Sequence, residues 1–458
     1  MFPGQGTSAI HSTHTRQTAI SDASSPAGST LLAAYHQTFH TELSAISPSD
    51  LQNIDVDTTD FIQKDSLLVI PKERYATNPI ISGTSLFIIQ TLRYLAFIEA
   101  TASSTNSLTP FSDLLKPNLE HGLGILGFSS GILPACVVAT SFSTVSYISR
   151  AVEAYRLAIW IGVRTQLYRR ATLDAAFIDR DSILPWSLVF LGMSKTRAEE
   201  SIANFNKVSS PAPSFLFLSL TNPVLISQKQ VLETPSLYIT AIMDDTCVTI
   251  SGRPDVLLAF SSSLASDSVV HKTTLDTLYH SPELLDSVRN QVLADAASRN
   301  IQFPKFSDIK VPIRSTFTGD AITKDSVTHN SGDSLLGLVV DMVLTQTVNW
   351  NFVVEKVVKS CPDSVPVRLL NVGPGTGLVR STERGFPRGG AASLDLSIAD
   401  VTGHHHGKAK QEPIAVIGMA VNMPGAPNVS KLWEILEQGV NTISEVRMEA
   451  LFFLFFVF

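Results

Sequence analysis

The chain has 458 residues, 44% of them hydrophobic and 16% charged, with a formal net charge of −7 at pH 7. This length and composition predict a globular protein with two or three folding units. The acidic balance argues against nucleic acid as a partner, because phosphate binding requires a basic face. Three scattered cysteines are too few for a disulfide framework or a thiolate metal site, so we expect a cytoplasmic protein without a metal. The N-terminus lacks the pattern of a secretory signal, and we expect no membrane contact.

Short apolar runs alternate with helical stretches in the first part of the chain. Residues 67–100 predict a strand that begins at LLVI (67–70) and a long helix with an apolar face after it, and residues 147–171 predict a second long helix. Residues 125–138 (ILGFSSGILPACVV) predict a buried strand, a tight turn and an apolar helix. Strands that alternate with helices favour an α/β fold with a mostly parallel sheet.

The pattern changes between about residues 195 and 270. Ser194 precedes a polar amphipathic helix, and residues 236–252 predict two strands joined at Asp244 and Asp245. A second helix and another strand follow. Helix, hairpin, helix and strand in this order predict a small α+β subdomain inserted into the larger one.

The strand-and-helix pattern resumes after the predicted insertion and continues to about residue 380. Residues 381–411 are rich in Gly, Ser, His and Lys without periodicity, which predicts a flexible linker. A strand and a short helix closed by Gly439 are then predicted within residues 412–446. One strand and one helix lack a partner sheet, so we expect residues 412–458 to be poorly ordered in isolation.

The segment GFSSG makes Ser129 a candidate nucleophile. Gly127 and Gly131 permit a sharp turn from strand to helix, which would expose the Ser129 hydroxyl and place the Ser130 amide as an oxyanion donor. A tight turn without any chemistry explains the same pattern equally well. His280, in LYHSP, follows the inserted subdomain at a hinge that faces the cleft between the subdomains. On spacing alone, a structural role for this histidine is the stronger alternative.

Several ordered motifs together resemble the starter-unit acyl-carrier-protein transacylase domain of fungal non-reducing polyketide synthases, a relative of the malonyl acyltransferases. The resemblance covers most of residues 1–380 and rests on FPGQG, GFSSG, AYRLAIWIGVRTQLYRRA, PWSLVFLGMS, AIMDDTCVTISGRP, LYHSP, VPIRSTFTG, LTQTVNW and LLNVGPGTG. It implies a large α/β-hydrolase-like acyltransferase subdomain with a mostly parallel sheet. A small ferredoxin-like α+β subdomain would be inserted into it.

The resemblance also implies roles for particular residues. His280 would be the base that activates Ser129, and the amides of Ser130 and Gln5 would form the oxyanion hole. The backbone of Asn371 would orient the histidine. These domains usually carry cysteine where this chain has Ser129, and serine relies more than cysteine on its base. A weakened loading domain is the alternative, and Cys136 is more plausibly part of the core than a displaced thiol.

The same resemblance bears on the substrate. Malonyl transferases hold the substrate carboxylate with an arginine, and Ile161 occupies that position here, with Arg156 and Arg164 nearby. An apolar residue disfavours a carboxylate and suits a plain acyl group. The implied reaction transfers a starter acyl group from acyl-CoA, or from a fatty-acid synthase, to the phosphopantetheine thiol of an acyl carrier protein through an acyl-serine. No permanently bound cofactor is implied. A silent carrier-protein docking module and a serine thioesterase or hydrolase are the alternatives.

Residues 412–446 resemble the first strand, loop and helix of a β-ketoacyl synthase. The resemblance ends at Val446, before the condensing residues of that family, so we expect no condensing activity. Residues 447–458 form an apolar tail that we predict is foreign to the family and stems from a truncated or mis-spliced gene model. A Phe-rich tail of this kind favours aggregation.

Overall fold

The computed structural model of the chain describes residues 1–5, 10, 12–107, 110–121, 123–173, 185–209, 237–264, 269–275, 277–326, 334–361, 367–387, 390–396, 425–438 and 440. The chain divides into two compact units, residues 1–403 and residues 404–458. In the second unit, Val429–Gln438 is a helix, as predicted. The strand predicted before it, Gly439 and the apolar tail lie outside the described residues.

Helices dominate the first unit. They are α1 (Thr13–Asp22), α2 (Pro26–Ser44), α3 (Pro48–Leu51), α4 (Ser66–Val69), α5 (Pro79–Thr105), α6 (Pro110–His121), α7 (Ile132–Thr140), α8 (Thr144–Thr172), α9 (Lys195–Ser209), α10 (Pro254–Ser263), α11 (Pro282–Ser298), α12 (Leu335–Leu344), α13 (Trp350–Ser360) and α14 (Gly377–Arg384). Single 3₁₀ turns cover Thr58–Phe61, Glu73–Ala76, Ser129–Gly131 and Phe306–Asp308.

The long helices α5 and α8 pack against each other at the centre of this unit. The Asn78 side chain caps the start of α5, and Ser143 and Ser146 form a capping box at the start of α8. By length and composition α5 could cross a membrane, although the sequence predicts no membrane contact. However, 78% of the apolar stretch of this helix is buried inside the protein, so α5 is a core helix.

Short parallel segments form the sheet of the large subdomain. Ile125 bridges to Ile313, Gly127 bridges to Phe2, and β8 (Val367–Asn371) pairs with β9 (Ala391–Asp395), all in parallel. The amide of Val372 donates to the Met1 carbonyl at 3.0 Å, which links the Phe2 segment to the end of β8. The predicted mostly parallel arrangement is therefore confirmed for these segments.

A second sheet has the strand order β4-β1-β3-β2-β7. Its strands are β1 (Ser187–Leu191), β2 (Tyr238–Asp244), β3 (Cys247–Ser251), β4 (Val269–Lys272) and β7 (Val348–Asn349). β5 (Ile313–Arg314), which carries the bridge to Ile125, pairs antiparallel with β6 (Ala321–Ile322). The second sheet is antiparallel except for the β2–β7 pair, and α9 and α10 share its apolar core. The predicted helix, hairpin, helix and strand are confirmed, and the sheet also recruits β1 and β7 from outside the predicted range.

Two sequence predictions are wrong. Residues 67–70 are not a strand, because Ser66–Val69 is one helical turn that buries the consecutive side chains of Leu67 and Leu68. A short apolar run fits either structure. The predicted start of the linker at residue 381 is also wrong, because α14 reaches Arg384 and β9 covers Ala391–Asp395. The buried guanidinium of Arg93 donates to the Leu396 carbonyl at 2.6 Å, which anchors this segment to the core.

Candidate active site

The turn that carries Ser129 has the geometry expected of a nucleophile elbow. Ser129 has a φ of 54°, in the left-handed region that costs a non-glycine residue about 1–2 kcal/mol. Two glycines make the turn sterically possible. A Cβ on Gly127 would lie 2.5 Å from the Ile132 Cα, and a Cβ on Gly131 would lie 2.1 Å from the Phe2 carbonyl oxygen. The strained backbone holds the Ser129 side chain at the wall of a cavity.

His280 lies directly against this serine. Its Nε2 is 2.7 Å from the Ser129 Oγ, and its Nδ1 is 2.9 Å from the backbone carbonyl oxygen of Gln346. A carbonyl can only accept a hydrogen bond, so Nδ1 carries the proton and Nε2 presents a lone pair to the serine hydroxyl. The side chain is 6% exposed. Burial lowers the pKa of His280 to about 4 against the opposing backbone hydrogen bonds, which keeps the imidazole neutral near pH 7.

The group that orients His280 is not the one predicted. The Asn371 side chain is fully buried at the end of β8, and its Nδ2 donates to the Gly375 carbonyl at 2.9 Å. Asn371 therefore shapes the turn after β8. Gln346 lies just after the end of α12. The amide of Ser281 donates to the Leu344 carbonyl at 2.8 Å, and this bond holds the end of α12 beside His280. The only sequence signal for Gln346 was its place in LTQTVNW, because a backbone carbonyl has no side-chain signature.

The predicted oxyanion residues lie beside the elbow. Gln5 and Ser129 line the same cavity. A Cβ on Gly4 would lie 2.8 Å from the Ser129 Cβ, so the PGQG segment packs directly on the turn. Gln90 fixes this segment by donating to the Pro3 carbonyl at 2.5 Å. An oxyanion role for the amides of Gln5 and Ser130 stays a prediction.

Ile161 lies on α8 in a small, largely apolar recess of about 20 Å³ that Gln5, Ser130 and Tyr279 also line. The two nearby arginines point elsewhere. Arg156 donates to Glu42 at 2.6 Å, and Arg164 donates to Asp295 at 2.6 and 2.8 Å. Neither arginine lines this recess or the main cavity within the described part of the chain.

The main cavity has a volume of about 480 Å³ and lies between the elbow and the second sheet. Three buried hydroxyl groups on its sheet wall form a chain that the sequence analysis missed. The Ser187 Oγ lies 2.7 Å from the Ser251 Oγ, which lies 2.6 Å from the Thr240 Oγ1. Hydroxyl residues within three short segments were the available signal, but only the cross-strand pairing of these segments brings them together. Among the described residues, no group of three His, Cys, Asp or Glu side chains is placed to hold a metal ion.

Cys136 is not a displaced nucleophile. Its side chain is fully buried in α7, and burial raises the pKa of the thiol well above its usual range. A thiol of this kind stays protonated and is a poor nucleophile. The predicted core role for Cys136 is confirmed.

Comparisons with known proteins show which families this chain resembles. Residues 1–227 match the family described as "Starter unit:ACP transacylase in aflatoxin biosynthesis", and residues 411–451 match "Beta-ketoacyl synthase, N-terminal domain". Orsellinic acid synthase ArmB of Armillaria ostoyae is 47% identical over 449 residues, covering 97% of this chain and 19% of that protein. Orsellinic acid synthase of Beauveria bassiana is 28% identical over 462 residues, covering 97% and 18%. The chain thus spans about a fifth of the length of these relatives.

Solved structures show the fold. MCAT from Mycobacterium tuberculosis has a TM-score of 0.54 at 15% identity, over 87% of this chain and 96% of that one. Malonyl CoA-acyl carrier protein transacylase from Burkholderia pseudomallei has a TM-score of 0.52 at 11% identity, over 84% and 96%. The chain thus contains an acyltransferase-type polyketide synthase domain whose residues 1–227 match the starter-unit ACP transacylase family, and its residues 411–451 match the start of a β-ketoacyl synthase domain.

Proposed function

We propose that this region loads a starter acyl group from an acyl-CoA thioester onto the phosphopantetheine thiol of an acyl carrier protein in polyketide biosynthesis. The observation that carries the proposal is the 2.7 Å contact between the Ser129 Oγ and the His280 Nε2 at the wall of a cavity. The family description, which names an ACP transacylase, supports the carrier protein as the acceptor.

The first half-reaction acylates the serine. His280 Nε2 takes the proton of the Ser129 hydroxyl as Oγ attacks the thioester carbonyl carbon. The C–S bond then breaks, and the departing thiolate of CoA takes the proton from Nε2. General-base help of this kind contributes about 10²–10⁴ in rate. The amides of Gln5 and Ser130 would donate to the oxyanion, and each such donor is worth about 3–4 kcal/mol.

The second half-reaction repeats these steps in the other direction. The phosphopantetheine thiol gives its proton to His280 Nε2 and attacks the acyl carbon. The bond between that carbon and the Ser129 Oγ breaks, and the serine recovers the proton. The partner of Nδ1 favours this transfer chemistry over a hydrolase triad, because a backbone carbonyl of Gln346 lies where a triad places a carboxylate.

We further propose that the acyl group carries no carboxylate. Ile161 faces the recess beside Ser130, while carboxylates hold Arg156 and Arg164 elsewhere. A malonyl carboxylate at Ile161 would be buried without a cation, which is costly.

We also propose that the transacylase domain continues past residue 380 through β9. The three cysteines of the chain are free, which supports a reducing, cytoplasmic setting.

Intact-protein mass spectrometry after incubation with a panel of acyl-CoA donors tests the proposal. We expect one acyl adduct on Ser129 in the wild type, none in Ser129→Ala, and a retained adduct in Ser129→Cys. Adding a holo carrier protein should move the acyl group to its thiol faster than water removes it. Loading by Ser129→Ala would overturn the serine intermediate. Transfer to water alone would identify a thioesterase, and no adduct with any donor would leave a silent docking module.

A further inference from the structure

The main cavity is elongated along the second sheet. Both ends of the β1–β3 ladder line it, with Ser187 paired to Ser251 at one end and Leu191 paired to Cys247 at the other. Four residue steps separate these two pairs. At about 3.3 Å per step, the cavity extends about 13 Å along the strands.

The catalytic pair lies at the Ser251 end of this cavity. The Gln346 carbonyl holds His280, and the next residue, Thr347, donates to the Ile239 carbonyl at 3.1 Å. Ile239 lies at the start of β2, where its neighbour Tyr238 pairs with Ser251. The reacting thioester would therefore lie at this end, and the remainder of a long substrate would extend toward the β2–β3 hairpin turn.

Arg384 stands at the hairpin end. It lines the cavity and is exposed to solvent at the end of α14. Burial and the negative charge of Asp244 raise the pKa of Cys247 to about 11, and the positive charge of Arg384 opposes that shift. The charge of Arg384 therefore acts on the thiol at the hairpin end. The Asp244 carboxylate accepts from the Thr246 N–H at 2.9 Å and from its hydroxyl at 2.8 Å. The salt bridges among the described residues pair other arginines with acids, and none includes Arg384.

The wall between the two ends carries no charge. It presents the hydroxyls of Ser187, Thr240 and Ser251 together with the apolar side chains of Val189 and Met243. Such a wall suits a flexible arm of methylene and amide groups. A pantetheine arm has this composition, with a thiol at one end and a phosphate at the other. The same arm occurs in coenzyme A and on carrier proteins.

We propose that Arg384 binds the phosphate at the far end of the pantetheine arm while the thiol end reacts at Ser129. This inference rests on the proposed function. A guanidinium can donate two parallel hydrogen bonds to a phosphate, and it remains charged at every working pH. One residue would then serve both half-reactions, because the donor and the acceptor share the phosphate.

Matched small substrates isolate that phosphate. Acylation of Ser129 is measured with acetyl-CoA, acetyl-4′-phosphopantetheine and acetyl-pantetheine, of which the last lacks only the phosphate of the second. Arg384→Gln should lower kcat/KM about tenfold for the two phosphorylated donors. With acetyl-pantetheine the change should stay below twofold. Arg384→Lys should restore part of the loss. The exposed Arg380, one turn earlier on α14, supplies the control variant Arg380→Gln, which should resemble the wild type.

The acceptor half-reaction is tested with 4′-phosphopantetheine and pantetheine as thiols, and it should show the same selective loss in Arg384→Gln. An equal loss with and without phosphate overturns the proposal, as does no loss with the phosphorylated donors or a loss confined to one half-reaction. Measurements on the wild type distinguish a failure of the proposed function from a failure of the phosphate site. Failure of every thioester to acylate Ser129 would remove the proposed function and the phosphate site with it. Acylation at equal rates with phosphorylated and unphosphorylated donors would remove only the phosphate site.

Discussion

The buried position of His280 predicts an unusual pH profile for acylation of Ser129. Burial lowers the pKa of His280 from 6.5 to about 4. At pH 5.5, a histidine with the ordinary pKa would be about 90% protonated and the rate would fall about tenfold, whereas a pKa near 4 leaves about 97% of the base neutral. We therefore expect the rate of acylation to change little from pH 8 down to pH 5.5 and to fall only near pH 4.

Single-turnover acylation by acetyl-CoA, quenched and quantified as the mass adduct on Ser129, measures this profile between pH 4 and pH 8. Ser129→Ala provides the blank at each pH. A rate that halves near pH 6.5 would refute the reasoning, because it would show that His280 keeps its ordinary pKa in the free enzyme.

The same shift predicts how stability depends on pH. The pKa of His280 is lower in the folded state than in the unfolded state, so the unfolded state binds the extra proton first. The contribution to stability is therefore fully present above pH 6.5 and is lost as the pH falls through 6.5 toward about 4. A difference of about 2.5 pKa units corresponds to about 3 kcal/mol. About 2.5 kcal/mol of this contribution is already lost at pH 4.5. The difference in unfolding free energy between the wild type and His280→Gln, measured by chemical denaturation, should therefore change by about this amount between pH 7.5 and pH 4.5, and an equal difference at both pH values would contradict the shift.

Other substitutions test the elbow, the core and the recess. Gly131→Ala should lower the free energy of unfolding by about 2 kcal/mol or more, because the new Cβ would lie 2.1 Å from the Phe2 carbonyl oxygen, while Gly377→Ala, with nothing within 4 Å, serves as its control in thermal melts. Glu42→Gln should destabilise the protein by about 3 kcal/mol in urea titrations, since this buried carboxylate accepts hydrogen bonds from two guanidinium groups and an indole. Ile161→Arg should shift the donor preference measured by competition toward malonyl-CoA, and an unchanged preference would refute the placement of the acyl group.

Local patterns predicted much of the fold. The glycines around Ser129 and the apolar spacing of residues 147–171 act within a few residues, so these patterns alone indicate the turn and the helix. The strand at residues 67–70 failed because four consecutive apolar residues carry no periodicity. The recruitment of β7 to the second sheet depends on contacts between residues about 100 positions apart. No local pattern encodes such a pairing.

The candidate site shows the same contrast between local sequence patterns and long-range contacts. Ser129 and His280 carry distinctive side chains in recognisable motifs, and the structure places them together. Gln346 acts through its carbonyl, which no side-chain type indicates, and the family resemblance implies Asn371 instead. Arg384 has no motif of its own, and only the structure shows that it lines the same cavity as Ser129.

The environment of His280 also explains why a serine suits this turn, where the resemblance noted in the sequence implies a cysteine. A cysteine nucleophile gains most when the histidine is protonated, because the imidazolium stabilises the thiolate. Here the imidazole is buried and contacts a neutral carbonyl at Nδ1, so an imidazolium lacks a counter-charge there. A neutral imidazole is the form that a hydroxyl requires, since the proton moves only as the attack proceeds. The neutral imidazole thus suits the proposed role of Ser129 as a hydroxyl nucleophile, and in Ser129→Cys we expect the new side chain to react as a thiol that His280 deprotonates during attack rather than as a preformed thiolate.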